Sequence, residues 1–237
     1  FHPTLVQFSR ALASSGAAVI VPEIPEWTRL ELKPEVTVPT IRATLKALKD
    51  HPLTNQGPYG LIGFSFGAPQ ALIATTKPDI ANQLAGVVSW GGYSDMGRIL
   101  KFQMTGQHEW EGKQYRLDPD PYARWIIAGN YLPFVPEFKD AQDVADALLH
   151  LAVEAGNRRV PSSSPSYDTL LTKLAAKISP NRKELFELFE NVGFLCYVGF
   201  CLLFCAAMYA LYIPLQRQWD ALDEQSKPVI RTPADVV

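Results

Sequence analysis

Along the first ninety residues, segments with the hydrophobic spacing of a helix alternate with short apolar segments typical of strands. Residues 4–14 and 38–49 carry apolar side chains at helical spacing. Residues 17–24 form an apolar run rich in valine and isoleucine, which is typical of a buried parallel strand, and shorter strands are predicted at 59–62 and 84–90. This alternation predicts a parallel sheet covered by helices on both faces.

The pattern changes between residues 96 and 191, where we find no convincing strand. Helical periodicity dominates instead, and a Ser-Pro sequence at 179–180 is typical of the start of a further helix that runs to Glu190. The other helices predicted here cover residues 97–104, 120–131, 141–155 and 167–178.

Residues 192–215 contain no charged side chain. At about 1.5 Å per residue a helix of this length would cross a hydrocarbon layer of roughly 30 Å. Tyr209, Tyr212 and Trp219 gather near one end, as an interfacial belt would. The stretch predicts a single transmembrane helix followed by a polar tail, 216–237; a buried core helix is the alternative. Basic residues flank it about equally, so the orientation stays open.

Composition excludes some classes of function. The chain has 237 residues and a formal net charge of -2, without a basic cluster interleaved with aromatic residues, so we expect no nucleic-acid partner. No group of histidines, cysteines and carboxylates has metal-ligand spacing, and no residue pattern indicates a cofactor. The length suits one globular domain with an appendage.

The best candidate for chemistry is the sequence Gly63-Phe64-Ser65-Phe66-Gly67. A predicted strand precedes it and small residues at helical spacing follow it, so a strand, a sharp turn and a helix are expected. Such a turn exposes the serine Oγ as a nucleophile, and the amide of Phe66 would stabilise an oxyanion. Alternatively, Gly63 and Gly67 only allow an ordinary turn between a strand and a helix.

These residues and their flanks resemble the α/β-hydrolase superfamily, in its dienelactone-hydrolase-like branch. Residues 59–72 resemble the nucleophile elbow of that family. The similarity extends over residues 1–190 and is specific at two further places, the Val-Pro-Glu-Ile-Pro sequence at 21–25 and the Gly-Gly-Tyr-Ser-Asp sequence at 91–95.

The resemblance implies a partial α/β-hydrolase parallel sheet at 1–95 and a helical lid-like region at 96–191, ahead of the transmembrane helix. The family strand that precedes the first helix has no counterpart here. Nor do the strands after the lid that carry the acid and the base. We therefore expect a chain that is incomplete at both ends. Without the missing strand, residues 17–24 and the strand before Ser65 must either pair directly or leave a gap.

A nucleophilic serine needs a base and usually an acid that orients the base. Of the four histidines, His2 and His51 precede the elbow, and His150 lies on a predicted helix as a surface or packing residue. His108, on a predicted loop, is the one candidate base. Asp95 resembles a residue on the lid side of the family and is expected to shape a turn.

Two functions follow from these observations. The first is a membrane-anchored, hydrolase-derived and catalytically inactive accessory subunit of a larger membrane protein complex. Its partners would be the lipid bilayer and other membrane subunits, and it would be a single-pass membrane protein. The second is an active serine hydrolase, an esterase or peptidase-like enzyme that uses Ser65. Whether the chain is an enzyme is left open, with the inactive subunit preferred.

Overall fold

The computed structural model describes residues 3–162 and 164–190, which form two compact units. The first contains residues 3–28 and 33–92, and the second contains 29–32 and the described residues from 93 onwards. The fold is helix-rich with two separate pairs of strands. The predicted fold class, a parallel α/β-hydrolase sheet followed by a transmembrane helix, is therefore wrong.

The first unit alternates helices with two of the three strands that its periodicity predicts. Its helices and strands follow one another as α1 (Pro3–Ser14), α2 (Pro25–Thr28), α3 (Thr37–Asp50), β1 (Tyr59–Phe64), α4 (Gly67–Ala74), α5 (Pro78–Ala81) and β2 (Leu84–Trp90). The bounds of α3 and β2 agree closely with the predicted 38–49 and 84–90.

Strands β1 and β2 are parallel neighbours, and α4 connects β1 to the chain that leads into β2. Residues on one face of the pair pack with α3, α4 and α5. The core of the unit contains Ile41, Leu45, Tyr59, Ala74 and Ile80. Outside this core, Arg42 of α3 and Asp79 of α5 form a bidentate ion pair, with Nε to Oδ2 at 2.7 Å.

The strand predicted at 17–24 does not form. Residues 17–24 lie outside any helix or strand, and no described residue forms a backbone ladder with them. Apolar composition makes a segment suitable for a strand, but a strand also needs a neighbour for its N–H and C=O groups. Direct pairing with β1, one of the two predicted arrangements, therefore does not occur.

The second unit is mainly helical. It contains α6 (Met96–Thr105), β3 (Gln107–Trp110), β4 (Lys113–Arg116), α7 (Pro121–Tyr131), α8 (Gln142–Arg158), α9 (Asp168–Ala175) and α10 (Lys183–Glu190), with short 3₁₀ turns between them. The helices match the predicted segments. The hairpin of β3 and β4 was not predicted; Glu111 (φ 48°) and Gly112 (φ 72°) both adopt the positive φ that a tight two-residue hairpin turn requires.

Helices α7 and α8 form the centre of the second unit. They approach closely at Gly129, where an added Cβ would lie 2.9 Å from the Cβ of Leu149 and 3.1 Å from the carbonyl oxygen of Ala145. Trp125 is 1% exposed, and Leu148 and Leu151 are fully buried. This apolar layer gives the unit a core of its own.

No helix in the described part of the chain is long and apolar enough to cross a membrane. The longest, α8, has 17 residues and a polar face, whereas a membrane-crossing helix needs about 20 apolar residues. The predicted transmembrane helix and the single-pass membrane localisation are thus contradicted. Residues 192–215, on which both rested, lie outside the described residues.

Asp143, in the first turn of α8, connects this helix to the segment before α10. Its carboxylate accepts hydrogen bonds from Arg182 Nε (2.8 Å), Arg182 Nη2 (3.0 Å) and the amide of Ser179 (2.9 Å). Burial alone would raise the pKa of Asp143, but the bonds from Arg182 and Ser179 outweigh burial and hold that pKa far below its ordinary value. The charged carboxylate therefore stabilises the folded state.

We expect Asp143→Asn to lower the free energy of unfolding by about 1–3 kcal/mol at neutral pH. Because the folded-state pKa is depressed, the contribution of Asp143 is complete above the pKa of the unfolded state, about 3.9, and decreases as the pH falls below it. Urea unfolding at a series of pH values measures this. Asp146→Asn on the exposed face of the same helix is the control. A loss that stays constant down to pH 2 would contradict the assignment.

Candidate functional site

The turn between β1 and α4 has the shape that the sequence predicts. Ser65 follows the last residue of β1 and has a left-handed backbone, with φ at 49°. Its amide donates to the carbonyl of Trp90 at 2.9 Å, and its own carbonyl accepts from the amide of Ala68 at 3.0 Å. The side chain of Ser65 is exposed. A non-glycine residue in this conformation is uncommon and is held here by bonds on both sides.

Glycines make the sharp turn possible. A Cβ at Gly63 would lie 2.4 Å from the carbonyl oxygen of Gly67 and 2.8 Å from the Cα of Ala68. At Gly67 it would lie 3.2 Å from the ring of Trp27, which also meets the ring of Phe66 edge-on at 5.2 Å. Gly63 therefore lets the start of α4 lie directly against β1, a closer approach than an ordinary strand-to-helix turn needs.

The first turn of α4 offers amide groups next to Ser65. Phe66 is the N-cap residue, and no side chain caps the helix. Amides in the first turn of a helix have no acceptor within the helix, and they lie at the positive end of its dipole. The geometry is compatible with the predicted oxyanion role of Phe66, which stays a prediction.

None of the described residues that could activate Ser65 is hydrogen-bonded to it. No bond joins Ser65 Oγ to another residue in the described ranges. His51 follows α3 on the surface and its Nδ1 accepts from the amide of Leu53 at 3.3 Å. His150 is exposed on α8, and His2 lies outside the described residues.

His108 lies in β3 and not on the predicted loop. Its ring stacks on Tyr115 at 5.0 Å between centroids and meets Phe102 edge-on at 5.8 Å. The Nδ1 atom is buried without a hydrogen-bond partner. This packing holds the imidazole within its own hairpin and α6, which disfavours His108 as a mobile catalytic base.

The other candidate residues have structural roles. Asp95 caps α6, since its Oδ1 accepts from the amide of Arg98 at 2.9 Å, in line with the turn role expected for it. Within residues 3–162 and 164–190, no group of three or more histidine, cysteine or carboxylate side chains is arranged to hold a metal ion.

Sequence reasoning missed an open apolar face on the strand pair. Ile62, Phe64, Val88 and Trp90 remain 36%, 38%, 47% and 63% exposed. The register places Ile62 beside Val88 and Phe64 beside Trp90, so the four side chains form one patch, which we call the open face. Parallel strands are normally buried on both sides. Alternation within 59–64 could have indicated the two faces of the strand, but not that one of them would stay exposed.

Comparisons with protein-family models, curated proteins and solved structures find no match to this chain. The resemblance to the α/β-hydrolases accordingly stays a prediction that rests on the residues quoted above.

Proposed function

We propose that the chain is a catalytically inactive, hydrolase-derived accessory subunit of a larger protein assembly. Its first unit binds an extended apolar segment of a partner protein, which adds to β1 as a further strand. The observation that carries this proposal is the open face, an apolar patch on a parallel strand pair that stays exposed although Phe8 of α1 contacts Phe64.

The outer edge of β1 supplies the backbone groups for such a partner. Ser65 directs its N–H to β2. Because backbone direction alternates along a strand, Gly60, Ile62 and Phe64 direct their N–H and C=O groups away from β2. Among the described residues β1 has no strand on that side. Unpaired strand edges recruit extended peptide, and the ladder bonds provide affinity.

The side chains of the open face define the chemistry of the partner. Phe8 of α1 contacts Phe64 edge-on at 5.3 Å, yet Phe64 keeps 38% of its surface exposed and Trp90 keeps 63%. An added strand has alternate side chains on this side of the sheet, and apolar ones would bury the patch. Burial of apolar surface favours binding by about 25 cal/mol per Å² before the costs of association are subtracted.

Within the same unit, residues 17–24 form no ladder with a described strand, although the amide of Ala17 donates to the carbonyl of Leu12 and the carbonyl of Ile24 accepts from the amide of Thr28. They have the composition of a strand. A strand that lay beside them would pair with their other backbone N–H and C=O groups. The described residues of the unit could therefore accommodate a further strand.

The environment of Ser65 favours a catalytically inactive subunit over an active serine hydrolase. A serine without a base is a weak nucleophile, and no described histidine or carboxylate bonds to Ser65. A serine hydrolase is the second candidate because of one observation, the left-handed backbone of Ser65 at φ 49° with its side chain exposed. Both candidates predict the same turn and differ in the reactivity of the serine.

A photoreactive amino acid at Val88, on the open face, tests the proposal in the full chain in its native cells. We expect one discrete adduct with a partner protein. Ile62→Lys is expected to reduce the yield of this adduct at least about tenfold. The substitution places a charge on the open face, which disfavours pairing with an apolar strand. Quantitative immunoblotting of the adduct is the measurement.

Leu53→Lys is the matched control, since Leu53 is 89% exposed in a loop of the same unit and undergoes the same change of charge. Its adduct yield should equal that of the unaltered protein. Equal yields for all three proteins, or no adduct, would overturn strand addition. Labelling by a fluorophosphonate probe that Ser65→Ala abolishes would favour the hydrolase instead.

A further inference from the structure

Arg124 is a charged side chain in the interior of the second unit. It lies in α7 beside the buried Trp125 and is only 5% exposed. Its Nε is sealed from solvent and has no hydrogen-bond partner. Within residues 3–162 and 164–190 the guanidinium forms neither a hydrogen bond nor an ion pair. A buried arginine without a counter-charge is rare, because arginine cannot become neutral to escape the cost of burial.

The obvious internal partner of Arg124 is engaged elsewhere. Asp120 precedes Arg124 by four residues, a spacing at which opposite charges commonly pair on a helix. Instead, Asp120 is the N-cap of α7, and its Oδ1 accepts hydrogen bonds from the amide of Tyr122 at 2.9 Å and from the hydroxyl of Ser162. The positive charge of Arg124 is consequently not compensated by the helix that carries it.

The terminal nitrogens of Arg124 provide the access for a ligand. Of the three guanidinium nitrogens only Nε is both sealed and unpartnered. The two Nη atoms, which bond to no described residue either, are not sealed in this way, so they carry part of the 5% exposure of the residue. A guanidinium held by its buried stem, with its fork at the surface, presents parallel N–H donors that match the two oxygens of a carboxylate or phosphate.

We propose that Arg124 anchors a binding site for an oxyanion, the carboxylate or phosphate group of a small ligand. Binding supplies a counter-charge that no described residue provides, with the oxyanion accepting two N–H bonds from the Nη side of the guanidinium. The site belongs to the second unit and does not depend on the open face or on Ser65. It is thus independent of the proposed function.

Thermal unfolding of the full chain in increasing inorganic phosphate, at constant ionic strength set with sodium chloride, tests the site. We expect a saturable rise in Tm of at least about 4 °C. Arg124→Met should abolish the rise, and Arg124→Lys should weaken it because a lysine lacks the fork. Sulfate and acetate, titrated in the same way, establish which oxyanion is preferred.

The control is Arg116→Met, an identical substitution at an exposed position in β4, which should leave the phosphate response unchanged. A second measurement on the unaltered protein does not require Arg124→Met to fold. The Nε–Hε resonance of Arg124, assigned by NMR, should shift with the same phosphate dependence as Tm. The inference is overturned if no anion raises Tm, if Arg124→Met responds like the unaltered protein, or if that resonance stays unmoved.

Discussion

Replacing Gly63 by alanine is expected to destabilise the first unit by about 3 kcal/mol, at the upper end of overpacking effects. The new Cβ would meet the carbonyl oxygen of Gly67 at 2.4 Å, the Cα of Ala68 at 2.8 Å and the Cβ of Ala71 at 2.8 Å. Two of these atoms belong to the backbone, so no side-chain rotation relieves the clash. Helix α4 must move away from β1, which also disturbs the turn at Ser65. Urea unfolding followed by circular dichroism measures the loss.

Gly60→Ala serves as the comparison within the same strand. A Cβ at Gly60 would find its nearest neighbour, the carbonyl oxygen of Gly86, at 4.0 Å. There is room for it, and alanine is entropically favoured over glycine in a strand by roughly 0.5–1 kcal/mol. We expect a neutral or slightly stabilising effect. If the two alanine variants were equally stable, the close approach of α4 to β1 would be wrong.

Trp125→Ala is expected to have the largest effect in the second unit, a loss of about 3–5 kcal/mol. The indole is 1% exposed, so its removal leaves a large cavity in the core between α7 and α10. It also removes the hydrogen bond that Nε1 donates to the carbonyl of Phe189 at 2.9 Å, and the edge contact with Tyr167 at 6.4 Å.

Trp110→Ala in β3 is the control for Trp125, because Trp110 is 61% exposed. Surface substitutions of this kind usually change stability by less than about 0.5 kcal/mol. The two variants are compared by the midpoint of urea unfolding. Equal midpoints would contradict the position of Trp125 at the centre of the core.

Much of the local structure could be predicted because it depends on nearby residues. Helix α3 and strand β2 follow from periodicity, and the turn at Ser65 follows from glycines two residues on either side of it. Each of these features is determined by spacing within about fifteen residues. Where the pattern is strong and local, the sequence is sufficient.

The errors concern features that depend on distant neighbours or on turn conformation. Residues 17–24 have the composition of a strand, but whether they pair depends on a neighbour that composition does not reveal. The hairpin at 107–116 is mostly polar and, apart from the half-buried His108, exposed, so apolar alternation was absent. The feature that indicates a hairpin here is the Glu111-Gly112 sequence, a turn in which both residues adopt positive φ.

The candidate sites differ in how visible they are in the sequence. Ser65 could be found because glycines mark its turn. Arg124 could not, since a lone arginine on a helix is ordinarily exposed, and its burial depends on packing within the second unit. The open face was equally hidden, because Trp90 and Val88 have the composition of a covered strand.

Residues 29–32 have a consequence for the order of folding. They are bonded within the second unit, where the amide of Leu32 donates to Asn130 Oδ1 and the Asn130 amide donates to the carbonyl of Leu30, across about 100 residues of sequence. At ribosomal speeds of about 5–20 residues per second, they wait roughly 5–20 s for Asn130 to be synthesised. The residues up to 92 are synthesised before Asn130, so residues 29–32 are without these hydrogen-bond partners while that part of the chain emerges.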